Sequence, residues 1–199
     1  MITGGLVVDI DDTLADTAKT CFQLVYDQFG DLTEMALPDL MTRYQQPGSV
    51  PAWQTSSVQT LIRDTLEDQS WLRQLPPIES AARELQQLQA ELPVSLYLSS
   101  RLSHHLAATQ EWLRAHGFPQ APVKLRTKDL TSPDWKLAFL AAEYPQSYGL
   151  IDNELGFLPL EKYEYQGRLI WFNRYQAPTT HTHLWQFSDW SEIGPILKS

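Results

Sequence analysis

Short apolar runs alternate along the chain with stretches in which apolar residues recur every third or fourth position. The runs read as buried strands and the periodic stretches as amphipathic helices. Strands are expected at residues 6–8, 94–98, 123–126, 148–151 and 169–172. Cys21, Val25 and Phe29 mark a helix that Gly30 can end. A short helix can open at Pro38-Asp39. Another runs from Ser57 to about Glu67 with Val58, Leu61, Ile62 and Leu66 on one side. Residues 47–57 form a breaker-rich loop. Pro76-Pro77 restarts the chain before an amphipathic helix carrying Ile78, Ala81, Ala82, Leu85 and Leu88.

The next helix spans about Ser103 to His116, with Leu106, Thr109, Trp112 and Leu113 inward and Gly117 as its stop. Ser132-Pro133-Asp134 opens a helix continuing through Leu137, Phe139 and Leu140. A closing helix from about Asp189 carries Trp190, Ile193 and Leu197. Residues 16–75 hold no convincing strand, whereas elsewhere strand and helix alternate. That pattern predicts an α/β fold: a Rossmann-like parallel sheet with flanking helices. Residues 1–15 and 76–199 make this core, and residues 16–75 a small all-helical module inserted after the first strand.

A chain of 199 residues suits one domain with an insertion. Fifteen basic against 24 acidic side chains give a net charge of −9, which repels polyphosphate backbones and argues against a nucleic-acid polymer as partner. A small phosphate ester is still compatible, because a bound metal and local Lys or Arg can reverse the field at a site. Cys21 is the lone cysteine, so an intrachain disulfide is impossible; it reads as a small core residue in a reducing cytoplasm. No apolar run approaches a membrane span, and the N-terminus lacks a signal-like stretch. A soluble, unprocessed protein without a membrane partner is expected.

The candidate chemistry is concentrated in Leu6-Val7-Val8-Asp9-Ile10-Asp11-Asp12-Thr13-Leu14. A buried strand ends abruptly in three carboxylates and a hydroxyl, and open α/β sheets bind ligands beyond the carboxyl ends of their strands. Asp9 and Asp11 can face one side of an extended segment. Packing such charges together calls for a cation, and hard oxygen ligands suit Mg²⁺. The competing reading is a strand running into a helix that Asp11, Asp12 or Thr13 caps. Two further strands end in Ser99 and Asp152, and Lys136 lies in the first turn of a following helix.

Two acids, a serine, a lysine and a third acid, in that order, resemble the motif set of the haloacid dehalogenase (HAD) superfamily. The resemblance implies that Asp9 is a nucleophile and Asp11 a general acid and base. It further implies Mg²⁺ held by Asp9, the main-chain carbonyl of Asp11, and Asp152. Ser99 and Lys136 would bind phosphoryl oxygens; Thr13, Ser100 and Arg101 join the candidate phosphate- or substrate-binding set. Arg101 is weighed against a plain surface arginine, and Lys124 and Lys128 are rivals of Lys136. A second aspartate at position 11 favours phosphatase or phosphotransferase chemistry. Where the family often has a second acid after Asp152, this chain has Asn153, with Glu154 next.

The helical module resembles the superfamily's small cap. Chain length, the Asp9-to-Ser99 spacing and the ending Phe187-Ser188-Asp189-Trp190 resemble 5'(3')-deoxyribonucleotidases, which act on nucleoside monophosphates. Two features depart from that pattern. Thr17 stands where those enzymes stack an aromatic residue on the base, and Ser99-Ser100-Arg101 replaces threonine-serine-proline. Phe22, Tyr26 or Trp53 are candidate replacements for stacking. His104 and His105 read as a solvated helix face, and His181 and His183 receive no role. The expectation is a Mg²⁺-dependent phosphomonoester hydrolase with a small phosphorylated substrate. The alternative is a catalytically silent domain that binds a phosphorylated ligand or protein partner.

Overall fold

The computed structural model describes residues 4–130, 135–158, 160–162 and 164–198. Six strands form one parallel sheet: β1 (Leu6–Val8), β2 (Val94–Leu102), β3 (Val123–Arg126), β4 (Gly149–Asp152), β5 (Arg168–Phe172) and β6 (Trp185–Phe187). Their order is β3-β2-β1-β4-β5-β6. The chain thus winds outward in both directions from β1, and the strand order reverses there. That reversal opens a crevice at the carboxyl ends of β1 and β4, where doubly wound sheets place their ligands. Val8 pairs with Ile151, so the residues that follow, Asp9 and Asp152, stand side by side at the carboxyl edge of the sheet.

Both faces of the sheet are covered, which is why the strands are apolar throughout rather than alternating. Leu6 and Val8 point into one core, with Ile151, Ile170, Trp112, Trp190 and Ile193. Val7 points into the other, with Leu96, Leu98, Leu137, Leu140 and Leu150. Helices α5 (Ala81–Leu88), α6 (Leu106–Ala115) and α8 (Ile193–Lys198) cover the first face, and α7 (Trp135–Glu143) the second. Beside Gly5 the chain passes so near Pro93 that a Cβ there would strike the Pro93 carbonyl.

Between β1 and β2 lie α1 (Thr17–Phe29), α2 (Leu37–Tyr44), α3 (Ser56–Glu67) and α4 (Gln69–Gln74). The first three share a core of their own, built from Cys21, Phe22, Val25, Leu40, Trp53, Val58 and Ile62. The loop expected at 47–57 winds into two 3-10 turns, Pro47–Ser49 and Pro51–Trp53. Among the described residues no helix is long and apolar enough to cross a membrane.

Several expectations need correction. Leu106, read as inward-facing, is 39% exposed, and Leu66, read on one side of its helix with Val58 and Ile62, is 40% exposed. Helix α4 and strand β6 were not expected, because six and three residues are too few to display a period. The helix start read at Ser132-Pro133-Asp134 lies outside the described residues. Strand β2 runs on to Leu102, past its expected end at Leu98. Over this extension, where the pairing with β3 is irregular, Ser99 and Arg101 are buried and Ser100 is exposed.

Candidate active site

Asp9 is 2% exposed, and its N–H donates to Ile151 O at 2.9 Å, continuing the β1–β4 ladder by one residue. The chain then turns sharply. Ile10 O accepts from Leu14 N at 2.8 Å and Ala15 N at 2.9 Å, while Asp12 adopts a left-handed conformation with φ of 59°. Asp tolerates that region better than most residues. The Asp12 carboxylate accepts from Ala18 N at 2.7 Å in the first turn of α1, so of the three capping candidates Asp12 makes the contact. Burial holds the Asp12 carboxyl well above the usual carboxylate range.

Lys136 reaches in from the first turn of α7 and is 4% exposed. Its Nζ donates to Asp9 Oδ1 at 2.6 Å and to Asp152 Oδ2 at 2.7 Å. The other Asp152 oxygen accepts from Glu154 N at 2.7 Å, so Asp152 also starts the turn after β4. Two buried carboxyl groups face one ammonium, and with both ionised a net negative charge is held out of water. Burial drives the Asp9 carboxyl up to about 8; Lys136 opposes this, and Asp152 and Asp11 add to it. Burial also penalises the Lys136 ammonium, but Asp152 and Asp9 more than compensate and hold it above its ordinary value.

Asp11 turns away from this triad. Arg101 grips it in a fork, Nε to Oδ2 at 2.9 Å and Nη2 to Oδ1 at 2.8 Å. Thr17 Oγ1 donates to Asp11 at 2.6 Å and Ser99 Oγ at 3.2 Å. Burial raises this carboxyl, and the Arg101 guanidinium more than reverses the effect, leaving it below its ordinary value. Arg101 is not a surface residue: it is 7% exposed and also donates to Thr109 Oγ1 at 3.2 Å. Thr13, fully buried, accepts from Asn153 N at 3.1 Å and ties the two strand tips together.

A cavity of about 530 Å³ lies over these tips, beneath the helical insert. Asp9, Asp11, Ser100, Arg101, Lys136 and Glu154 line its floor. Gln46, Gln59, Ile62, Arg63 and Leu66 line the side formed by the insert. Ser99, Thr13 and Asp152 stand behind the lining and act on it through hydrogen bonds. Lys124 lies over the Phe139 ring, 5.5 Å from its centroid, apart from this lining. Phe22 and Trp53 are fully buried in the insert, their rings 5.7 Å apart, so neither offers a stacking face. Tyr26 packs against that same core.

Three tryptophans hold the strand-tip loops in place. Trp190 Nε1 donates to Thr13 O at 2.9 Å, Trp171 Nε1 to Asn153 O at 2.8 Å, and Trp135 Nε1 to Ser100 Oγ at 3.2 Å. In the sequence they read as core residues, and nothing in their spacing signals the polar half of their task. Asp16 is likewise anchored from afar, by Arg174 Nη1 at 2.7 Å.

The donor set fits a hard divalent cation: carboxylates with surplus negative charge, and no nitrogen or sulfur ligand among them. Asp9, which lines the cavity, and Asp152 behind it, whose oxygens already meet Lys136 and Glu154 N, are the side chains that could hold it. Asp11 can add only its main-chain carbonyl, since its carboxylate is committed to Arg101. The surplus charge has a measurable consequence. A carboxyl raised to about 8 in the fold keeps a proton that the unfolded chain releases near its ordinary value, so stability falls as pH rises between the two. The slope is up to about 1.4 kcal/mol per pH unit. In chelator, urea unfolding from about pH 5 to about pH 8 should lose more stability in the wild type than in Asp9→Asn, which lacks the ionisation. Equal slopes would show that Asp9 is not raised.

No family model and no curated protein sequence matches the chain. Solved structures do. A predicted phosphoglycolate phosphatase from Haemophilus somnus superposes with a TM-score of 0.61 at 14% identity, covering 99% of both chains. A Bacillus subtilis protein, YfnB, described as a HAD-hydrolase and solved bound to magnesium, gives 0.58 at 15% identity over 98% of this chain and 99% of its own. A HAD phosphatase from Thermococcus onnurineus gives 0.55 at 13% identity over 98% of each. The six-stranded parallel sheet with helices on both faces is therefore an α/β fold of the haloacid dehalogenase type.

Proposed function

We propose that this protein is a metal-dependent phosphomonoesterase that passes through an aspartyl-phosphate on a small phosphorylated metabolite. The observation that carries the proposal is Asp9. It is a buried carboxylate on the central strand, at the point of strand reversal, and it lines a cavity together with Arg101 and Lys136. Once ionised, a form that Lys136 favours, its oxygen attacks phosphorus, and the bond to the leaving oxygen breaks as the Asp9–phosphorus bond forms. Water then cleaves that acyl phosphate, releasing inorganic phosphate and restoring Asp9.

Asp11 is kept ionised by Arg101, which suits it to take the proton of the attacking water. In the first step the substrate dianion competes with Asp11 for Arg101. A carboxyl that loses its guanidinium takes up a proton from solvent and passes it to the leaving oxygen, and is ionised again for the second step. Ser100, Arg101, Lys136 and the N–H groups after Asp9 meet the phosphoryl oxygens. Ser99 and Thr13 position Asp11 and Asn153 from behind. Mg²⁺, held by Asp9, Asp152 and the Asp11 carbonyl, would supply the charge that offsets repulsion between carboxylate and phosphate.

Residues 16–75 act as the cap that closes over the cavity, and its Gln46, Gln59 and Arg63 favour a polar leaving group. Among the described residues no Phe, Tyr or Trp lines that cavity. An adjoining cavity of about 370 Å³ shares Asp12, Gln46, Asn153 and Glu154 with it and adds Tyr44 and Tyr175. A nucleoside monophosphate would place its base there.

The test is hydrolysis of an aryl phosphate and a panel of phosphometabolites with Mg²⁺, expected to proceed and to stop on chelation. The second reading is a phosphate-binding domain without turnover, favoured by the hold of Arg101 on Asp11 and by Asn153. Binding of a phosphate analogue, with no hydrolysis across the panel and several metals, decides for it.

A further inference from the structure

Two histidines that this reaction leaves unused converge on one acid at the seam between insert and core. His104 and His105 stand in the 3-10 turn between β2 and α6, and Glu67 is the last residue of α3. The surface reading of the pair fails for His105, which is 2% exposed. His104 Nε2 lies 2.8 Å, and His105 Nε2 3.3 Å, from the same oxygen, Glu67 Oε2. The rings are 3.9 Å apart, and the three ligand atoms fall within 4.8 Å of one another.

Two imidazole nitrogens and a carboxylate oxygen are the donors of a zinc-type cation. With metal–ligand bonds of about 2.0–2.1 Å, tetrahedral ligands stand roughly 3.3 Å apart. Of the observed separations from Glu67, that of His105 meets this value at 3.3 Å and that of His104 is shorter at 2.8 Å. A plain ion pair accounts for the cluster less well, because adjacent imidazolium ions repel and one carboxylate oxygen would have to serve both. Neighbouring contacts hold the two sides in register: Gln69 Nε2 donates to His104 O at 3.2 Å, and Arg73 pairs with Glu111 at 2.5 Å.

We propose that Glu67, His104 and His105 bind a divalent transition-metal ion that clamps the helical insert to the core beside the cavity. Glu67 and His105 also line the cavity, so the proposed site borders it.

Co²⁺ is the probe, because a tetrahedral nitrogen-and-oxygen site gives an intense visible band that an octahedral oxygen site does not. The chelator-stripped full chain should develop the band with Co²⁺ and lose it when Zn²⁺ displaces the cobalt. His104→Ala and Glu67→Gln remove half-exposed side chains, keep the fold, and should abolish the band. Asp9→Asn should retain it, so the site stands or falls independently of the phosphatase reading. A band that survives both ligand variants, or that disappears only when His181 and His183 are replaced, overturns the assignment. Zn²⁺ should also slow tryptic cleavage at Arg63 in the wild type and not in His104→Ala; equal cleavage with the band present overturns the clamp.

Discussion

Asp9→Asn is expected to reduce hydrolysis of an aryl phosphate by roughly 10⁴-fold or more, the scale of removing a nucleophile. The same change should raise stability near pH 8. Asparagine fills the space of the carboxylate while removing one of the two negative charges that face Lys136. Activity and stability therefore move in opposite directions, which damage to the fold cannot imitate. Steady-state kinetics and urea midpoints on the same preparations read both. Wild-type turnover in Asp9→Asn would mean that another group attacks phosphorus.

Lys136→Met should be the most destabilising single change in the site, costing about 3–5 kcal/mol, as when one partner of a buried ion pair is lost. The side-chain volume is kept, so the cost arises from Asp9 and Asp152 facing each other without a cation. Both are almost wholly buried, and water cannot take over the screening. Mg²⁺ should accordingly stabilise Lys136→Met more than it stabilises the wild type. Denaturant titrations with and without Mg²⁺ measure the difference. An equal gain in the two proteins would place the cation elsewhere.

The sheet and the place of Asp9 at its edge were legible because they depend on local signals. Apolar runs stop at polar residues, and parallel winding carries the strand ends to one edge. The pairing of Val8 with Ile151 then makes Asp9 and Asp152 neighbours without further information. What Asp11 does was not legible from motif order, since its partner Arg101 stands 90 residues away in sequence and reads as an ordinary surface cation. It is buried because β2 continues past Leu98, and an apolar run cannot announce that its strand extends into serines and an arginine. His105 was misjudged for a related reason: insert and core meet over it, a long-range contact with no local pattern. The stacking roles considered for Phe22 and Trp53 failed because the insert needs those rings for its own small core.

The three indoles that donate to Thr13, Asn153 and Ser100 give the cleft a reporter of its own. Each sits against a strand tip, or the loop that leaves it, beside the space a phosphate or cation would enter. Occupancy should therefore be visible as a change in intrinsic emission, without a label and without turnover. Replacing Trp135, Trp171 or Trp190 singly by Phe would then show which of the three segments moves.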